Sequence, residues 1–359
     1  MGYEIDFLPV GEESKGGDAI ALRYGNLRAS RAEQTVVVID GGYTAAGEAM
    51  VEHIRTHYQT DRVDIVISSH PDQDHVCGLE VVLERLSVGL LLMHQPWRHS
   101  AALQAARKAA FKSAALSEVL AKSLEGASEL EQIAIRKGVP IQEPFAGMAT
   151  NDGCLRIVGP SREYYETLLS SLTASPASAA RSSVFEALRK AAAALVPESL
   201  HHETLRDDGT TSPQNNSSVI TLLSVDGRQS LLTADAGIPA LEQAMDRIER
   251  AGWRPGSFTF VQVPHHGSRR NVGPSVLNRI LGSAVRQNIG TAFVSSPTKN
   301  PEHKHPAKKV TNAFLRRGYP VHTTQGLTKT HFHDSPGRAS WVASSALPFY
   351  NQVEEDSDA

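Results

Sequence analysis

The sequence predicts a layered α/β fold. The apolar runs VVVI (36–39) and IVI (65–67) are continuous rather than alternating, as is typical of strands buried on both faces. Strand-like runs near both ends of the chain alternate with segments of helical period. With 359 residues, 40% of them hydrophobic, the chain is long enough to bury the cores that such a fold needs.

The strand and helix signals follow a regular order. Strands are predicted for AIALRYG (19–25), TVVVIDGG (35–42), RVDIVISSH (62–70), CLRIVG (154–159), SSVITLLSV (217–225), QSLLTAD (229–235), FTFVQVPHH (258–266) and GTAFVSS (290–296). Helices are predicted for VCGLEVVLERL (76–86), SREYYETLLSSL (161–172), ALEQAMDRIERAG (240–252) and HPAKKVTNAFLRRG (305–318).

Two stretches differ in composition from the rest. Residues from about 99 to 137 are rich in Ala, Lys, Glu and Leu, and residues from about 173 to 213 are rich in Ala and Ser, with one helix in VFEALRKAAAAL (184–195). We expect both to be helix-rich insertions that cover the active site and supply no metal ligand. They would belong to one domain spanning 1–348, followed by an acidic, disordered tail at 349–359.

Composition limits the classes of function. The net charge of −3 provides no overall positive field for nucleic acid or a membrane surface, although a local patch can serve instead. Two cysteines are too few for a disulfide framework or a four-thiolate zinc site, which is typical of a reducing compartment. No apolar run approaches the roughly 20 residues of a membrane span, so we expect a cytoplasmic protein with no membrane partner.

The segment HPDQDH (70–75) carries four potential metal ligands, His70, Asp72, Asp74 and His75, directly after a predicted strand. Open α/β sheets usually build their sites at the carboxyl ends of strands. Imidazole nitrogens mixed with carboxylate oxygens suit Zn, Mn or Fe better than calcium. The alternative is a polar loop whose carboxylates cap the helix near Val76.

A charge argument also favours a metal site. If Asp40, Asp72, Asp74 and Asp235 share one pocket, each pair at about 4 Å repels by roughly 4 kcal/mol at an effective dielectric near 20. Bound cations or protonation would make that arrangement tolerable. Convergence of the four carboxylates does not follow from these residues alone.

Several short motifs in order resemble those of the metallo-β-lactamase superfamily and, within it, the hydrolase domain of ComEC-like DNA-uptake proteins. They are FLPVG, GDAIAL, VVVIDGG, DIVISSHPDQDHVCGLE, NNSSVITLL, SLLTADAG, VQVPHHGS, SSPTKN with HKHP, and GYPVHTTQG. The resemblance implies an αββα sandwich of two mixed β-sheets flanked by helices, with helical insertions. It also implies a hydrolase that uses two divalent ions, Zn or Mn.

The resemblance assigns the ligands. Asp74 and His75, with one histidine of PHHGS, would bind one ion; His70 and Asp72 would bind the other, with help from Asn215 or Asn216. Asp235 would bridge both ions, and Asp40 would orient ligands or the bridging water. Asp72 and the two asparagines stand where the superfamily usually has histidines, so we expect the second site to be weaker.

The neighbours His265 and His266 need separate roles. Successive strand residues face opposite ways, so both would be ligands only if the chain turned there. We favour His266 as the ligand and His265 as a substrate or proton-transfer residue, against the alternative of two surface histidines. The resemblance also places His305 near a leaving group or a phosphate; the alternative is an ordinary loop residue.

Polar and basic residues near these histidines are candidates for substrate binding: Asn216, Ser268, Arg269, Arg270, Lys304, Lys308 and Lys309. Charge-assisted donors of this kind hold phosphate oxygens, although a solvated helix face explains Lys308 and Lys309 equally well. Together with these residues, the resemblance to ComEC-like hydrolase domains implies that the favoured substrate is a phosphodiester, DNA or another nucleic acid. The alternatives are a small-molecule ester, such as a phosphocholine-type phosphodiester or a lactone, and a metal-binding module without activity.

Overall fold

The computed structural model describes residues 1–11, 16–112, 116–173, 195–285, 287–297, 305–339 and 341–354. Within these ranges the chain forms two mixed β-sheets that pack face to face, with helices on the outer face of each. The predicted αββα sandwich is confirmed.

The first sheet has seven strands in the order β14-β1-β2-β3-β4-β5-β6. Its strands are β1 Gly2–Phe7, β2 Ala19–Gly25, β3 Gln34–Gly41, β4 Arg62–Ile67, β5 Ser87–Leu92, β6 Ile141–Gln142 and β14 Lys329–His333. Strands β3 to β6 run parallel, whereas β14, β1, β2 and β3 pair antiparallel.

The second sheet has six strands in the order β13-β12-β11-β10-β9-β7. They are β7 Leu155–Gly159, β9 Ile220–Val225, β10 Arg228–Leu232, β11 Phe260–Gln262, β12 Thr291–Val294 and β13 Val321–Thr323. Strands β10 to β13 run parallel, and β7, β9 and β10 pair antiparallel. A separate pair joins β8 Leu195–Pro197 to β15 Gln352–Glu354.

The helices of eight or more residues are α1 Thr44–His53, α2 Gln73–Arg85, α3 Ala101–Lys108, α4 Glu118–Lys137, α5 Arg162–Thr173, α6 Ile238–Arg250, α7 Pro274–Leu281 and α8 Lys308–Arg316, and a single helical turn spans Pro213–Asn216. The first five cover the first sheet, and the last three cover the second. All four helices predicted by periodicity are present, within a few residues at each end.

Strand β3 shows why its sequence is continuously apolar. Val36 and Val38 point outward into the core beneath the helices, whereas Val37 and Ile39 point inward between the sheets. All four are buried. A strand covered on both faces has no solvent side on which a polar residue would be favoured.

The structure agrees only in part with the predictions for the inserted segments and the tail. The first insertion forms α3 and α4, as predicted, while most of the helix predicted at 184–195 lies outside the described residues. The prediction of a disordered tail from 349 is wrong for its first part. Gln352–Glu354 pairs with β8, Val353 is buried, and the Asn312 amide exchanges hydrogen bonds of 2.8 Å with the backbone of Tyr350.

In the part of the chain that the structure describes, none of the helices combines the length and apolar character needed to cross a membrane.

Candidate metal centre

The predicted ligands meet at one edge of the sandwich because the parallel strands of both sheets end there. Asp40 lies at the end of β3, and the segment 70–75 follows β4. From the second sheet, Asp235 follows β10, and the pair 265–266 follows β11. The carboxyl ends of parallel strands share an edge, which is where α/β sheets build their sites.

Close backbone packing brings the start of α2 to this edge. Gly78 of α2 lies against Gly41 at the end of β3, so closely that a Cβ on Gly78 would overlap the Gly41 carbonyl oxygen. Glycine is required where two backbones approach in this way. The contact places His75, on the first turn of α2, beside Asp40.

One group of ligands consists of Asp74, His75 and His266. The Oδ2 atom of Asp74 lies 3.9 Å from Nε2 of His75 and 3.7 Å from Nε2 of His266. Suitable ligand atoms of the three residues all lie within 4.8 Å of one another. This is the set that the sequence assigned to the complete site.

A second group is centred on His70. Its Nε2 atom lies 3.6 Å from Oδ2 of Asp72 and 3.8 Å from Oδ2 of Asp235. The other oxygen of Asp235 lies 3.6 Å from Nε2 of His75. The Asp235 carboxylate therefore lies between the two groups, as a bridging ligand would.

The donor atoms in both groups fit divalent ions. Nε2 of His70, His75 and His266 and Oδ1 of Asp235 are buried without a hydrogen-bond partner, which costs about 1–3 kcal/mol per atom. The distances between imidazole nitrogens and carboxylate oxygens in the two groups, 3.6 to 3.9 Å, are close to the spacing of about 3.4 Å between ligands on a tetrahedral ion with bonds of about 2.1 Å.

Asp72 occupies the N-cap position of α2, but its carboxylate makes no capping hydrogen bond. It lies near His70 and accepts a hydrogen bond of 3.0 Å from the hydroxyl of Ser123 on α4. The alternative explanation of the motif, helix capping, does not account for this carboxylate.

Asp40 holds the two histidines of the motif in position. Its carboxylate accepts hydrogen bonds from the Ser69 backbone N–H at 2.8 Å, the Ser69 hydroxyl at 2.6 Å and His75 Nδ1 at 2.7 Å. Because the Ser69 proton goes to Asp40, its oxygen can accept from His70 Nδ1, 3.0 Å away. Both imidazoles then direct Nε2 into the centre, the arrangement that metal-bound histidines usually adopt.

The chain turns at the histidine pair. His265, His266 and Gly267 have left-handed φ values of 46°, 55° and 84°. Strand alternation therefore does not apply, and both rings face the centre, with His265 Nε2 3.3 Å from Oδ2 of Asp235. Strained backbone of this kind persists at functional sites because the surrounding structure holds it in place.

Three buried residues at the centre were missed by sequence reasoning. Asp18, just before β2, has a carboxylate oxygen within 4.8 Å of ligand atoms of His75 and Asp235. Gln262 donates to Asp18 at 2.8 Å and accepts from the backbone N–H of Ala234 at 3.0 Å. Asn271 accepts from His265 Nδ1 at 2.9 Å. The only signal was the acidic residue of GDAIAL.

The carboxylates and imidazoles of the centre compensate each other's charge. Burial would raise the pKa of Asp74, but His75 and His266 lower it to about 2. Burial would lower the pKa of His266, but Asp235 and Asp74 raise it to about 9. The same carboxylates, with Asp40, raise the pKa of His75 well above its usual value. Protonated histidines thus offset the repulsion between carboxylates that was predicted from the sequence. Bound cations would take the place of those protons.

Some of the other predicted site residues lie near the histidine pair, and others do not. His305 lies beside His265, with ring centroids 6.4 Å apart, and Ser268 and Arg269 follow the histidine pair, Ser268 buried and Arg269 half-buried. Asn215 directs its Nδ2 at His265, 3.2 Å from Nδ1.

Asn216 places its Nδ2 3.5 Å from the Thr211 carbonyl oxygen, and its Oδ1 is buried without a hydrogen-bond partner. Lys309 is buried with its ammonium near the Thr204 carbonyl, and Lys308 lies over the Tyr350 ring. Lys304 lies outside the described residues. Helix α8 therefore directs neither of its two lysines to the centre.

Comparison with known proteins points to one family. Residues 30–161 match the family model described as the Metallo-beta-lactamase superfamily. The uncharacterized protein YcaI of Escherichia coli (strain K12) is 26% identical over 147 residues, which are 40% of this chain and 18% of that protein. The chain thus matches less than a fifth of that relative's length.

Two solved structures were also matched. The E377D mutant of the CmlA beta-hydroxylase is 12% identical, with a TM-score of 0.43, over 92% of this chain and 53% of that one. Zn(2+)-bound PqqB from Methylobacterium extorquens is 14% identical, with a TM-score of 0.40, over 91% and 99%.

The segment matched by the family model contains Asp40 and the whole HPDQDH motif, and superfamily members are typically metal-dependent hydrolases. The similarity to the Metallo-beta-lactamase superfamily thus covers residues 30–161, a little over a third of the chain.

Proposed function

We propose that the protein is a hydrolase that uses two divalent ions, Zn or Mn, to cleave phosphodiester bonds. One observation carries the metal-dependent part: four buried ligand atoms without hydrogen-bond partners each lie 3.6 to 3.8 Å from a ligand atom of another candidate residue. When bound, such ions activate water for attack at neutral pH and neutralise charge on the substrate oxygens.

The chain's own residues divide the work. Asp74, His75 and His266 hold one ion, and His70 and Asp72 the other, with Asp235 between them. Asp40 keeps the imidazoles of His70 and His75 oriented through hydrogen bonds made directly and through Ser69.

His265 is proposed to move protons. Its Nδ1–H donates to Asn271, whose own amide donates to the Asp235 carbonyl at 2.8 Å. The unprotonated Nε2 atom then faces the centre, where it can take up a proton from the attacking water and pass that proton to a leaving oxygen. His305, stacked beside it at the rim, is the second candidate for this step.

The proposed substrate is DNA or another nucleic acid. Support comes from the order of motifs that resemble those of ComEC-like hydrolase domains and from Arg269 and Arg270, which lie three and four residues beyond His266 in the sequence. Guanidinium groups beside the site would bind phosphate oxygens in bidentate fashion.

The test is an assay of the metal-loaded protein on single- and double-stranded DNA beside a chromogenic phosphodiester. Cleavage of DNA with an affinity that falls steeply as salt rises would support a polyanionic substrate. Cleavage of the chromogenic ester alone, with little salt dependence, would contradict it. No cleavage of either by protein with both ions bound would contradict phosphodiester hydrolysis altogether.

A second candidate substrate, a compact phosphodiester or lactone, is favoured by a small cavity next to His70. The cavity of about 30 Å³ is walled by Leu124 of α4, Leu169 of α5 and the ring of His94. His94 is buried, stacks on Tyr165 with centroids 4.3 Å apart, and has no hydrogen-bond partner for either ring nitrogen. Burial lowers the pKa of His94 to about 3, so the cavity has an uncharged polar group in an apolar wall.

A cavity of this size and polarity suits a short apolar ester group, and a nucleobase is too large for it. The discriminating probes are alkyl p-nitrophenyl phosphates of increasing chain length. If the cavity receives the alkyl group, each added methylene should raise kcat/KM by about fourfold until the cavity is full. A Leu124→Phe variant should lose that gain. Equal rates for methyl and propyl esters would contradict this candidate.

A further inference from the structure

The first insertion, residues from about 99 to 137, supplies a side chain that orients a ligand of the metal centre, although none of its described residues belongs to the candidate ligand groups. Ser123 lies on the buried face of α4, and its hydroxyl donates to Oδ1 of Asp72 at 3.0 Å. Oδ2 of the same carboxylate is the atom that lies 3.6 Å from Nε2 of His70. The two oxygens of Asp72 thus have different partners, one on α4 and one at the centre.

Asp72 is more exposed than the histidine ligands. Its side chain is 27% exposed and that of Asp74 28%, whereas those of His70 and His75 are fully buried. It makes no capping bond to α2. Apart from the His70 ring at the centre itself, Ser123 is the side chain found to hold this carboxylate among the described residues, so the orientation of Asp72 depends on α4.

We propose that Ser123 is a positioning residue for the second ion, so that retention of this ion depends on the inserted helix. A serine hydroxyl that donates to one oxygen of a carboxylate limits its rotation and leaves the other oxygen as the ligand. Removing hydrogen-bond partners of this kind from metal ligands typically weakens metal binding by 10- to 100-fold. The effect should be confined to the ion held by His70 and Asp72, because the hydrogen bond found for the Ser123 hydroxyl goes to Asp72 and not to Asp74, His75 or His266.

The test is calorimetric titration of the chelated full-length protein with Mn, comparing Ser123→Ala with wild type. We expect the second binding event to weaken about 10- to 100-fold and the first to be unchanged. The matched control is Ser128→Ala on the same helix, whose hydroxyl accepts from Arg107 Nε at 3.1 Å; its second event should be unchanged.

Wild-type affinity for both ions in Ser123→Ala would overturn the proposal, as would an equal loss at both sites or an equal loss in Ser128→Ala. The readout is ion binding, so it does not depend on the proposed phosphodiester hydrolysis. Loss of activity on every phosphodiester with both ions bound would count against the proposed function and leave the role of Ser123 standing.

Discussion

At the scale of single residues, the centre depends on Asp40 as much as on the ligands. One carboxylate accepts from His75 directly and from Ser69, which in turn accepts from His70. Each imidazole presents Nε2 to the centre only while its Nδ1 carries the proton. Because the single carboxylate of Asp40 orients two ligands, metal binding should be sensitive to substitution of Asp40.

Replacing Asp40 with Asn should weaken metal binding by about 10- to 100-fold while leaving the fold intact. The amide of Asn keeps the shape of the side chain but has only one oxygen. It therefore cannot accept the three hydrogen bonds that the two oxygens of the Asp40 carboxylate accept. Calorimetric metal titration measures the effect, with the exposed Asp226→Asn as control. Unchanged metal affinity in the Asp40 variant would contradict the orienting role.

Removing a ligand should have a different effect in each of the two groups. Asp74→Ala or His75→Ala should abolish hydrolysis, because each removes a ligand from the more complete group. Asp72→Ala should mainly lower occupancy of the second ion, as measured by elemental analysis. Full activity of Asp74→Ala at limiting metal would show that this assignment is wrong.

Metal binding should release protons. The carboxylates of Asp235 and Asp74, outweighing burial, raise the pKa of His266 to about 9, so an ion must displace its proton at pH 7. Affinity should therefore rise about tenfold per pH unit up to about pH 9.

In the metal-free protein, the same raised pKa stabilises the fold fully below about pH 6.5, and this contribution is lost as pH rises through about 9. Calorimetry in buffers of different ionisation enthalpy counts the released protons. A binding enthalpy that does not depend on the buffer would contradict this prediction.

At the scale of elements, the close contact between α2 and β3 determines where the HPDQDH motif lies. Gly78 and Gly41 touch through their backbones, and the first turn of α2 carries Asp74 and His75. Any side chain at this contact would push the helix, and its ligands, away from Asp40.

Gly78→Ala should therefore destabilise the protein by about 1–3 kcal/mol and weaken metal binding. The control is Gly126→Ala on α4, where an added Cβ would meet only Val76 Cγ1 at 3.8 Å. Helix propensity predicts that this change raises stability by about 1 kcal/mol. Chemical denaturation measures both variants, and equal stabilities would contradict the packing argument.

The elements themselves were largely predictable, because burial on both faces and helical period leave clear patterns in β3, β4 and α6. The strand pair of β8 and β15 was not. It depends on Val353, a single apolar residue in an acidic segment, and on the Asn312 amide, neither of which forms a periodic pattern.

At the scale of the whole molecule, both sheets are needed to build the centre. The first supplies Asp40 and the HPDQDH ligands, and the second supplies Asp235 and the histidine pair. The motif residues could be proposed from sequence because they stand next to strand ends. Asp18, Gln262, Asn271 and Ser123 could not, since only tertiary packing brings them to the centre. The left-handed turn at 265–267 was likewise not encoded in strand alternation.

The central claim is that this edge of the sandwich holds two divalent ions with unequal strength. The most direct test is titration of the chelated protein with Mn while bound ion and hydrolysis of a chromogenic phosphodiester are measured together. We predict two phases of one equivalent each, the first tight and the second weaker, because oxygen donors of Asp72 and Asp235 dominate the second site. Turnover should rise in the second phase. A single tight phase of two equivalents, or no ion bound at all, would contradict the account.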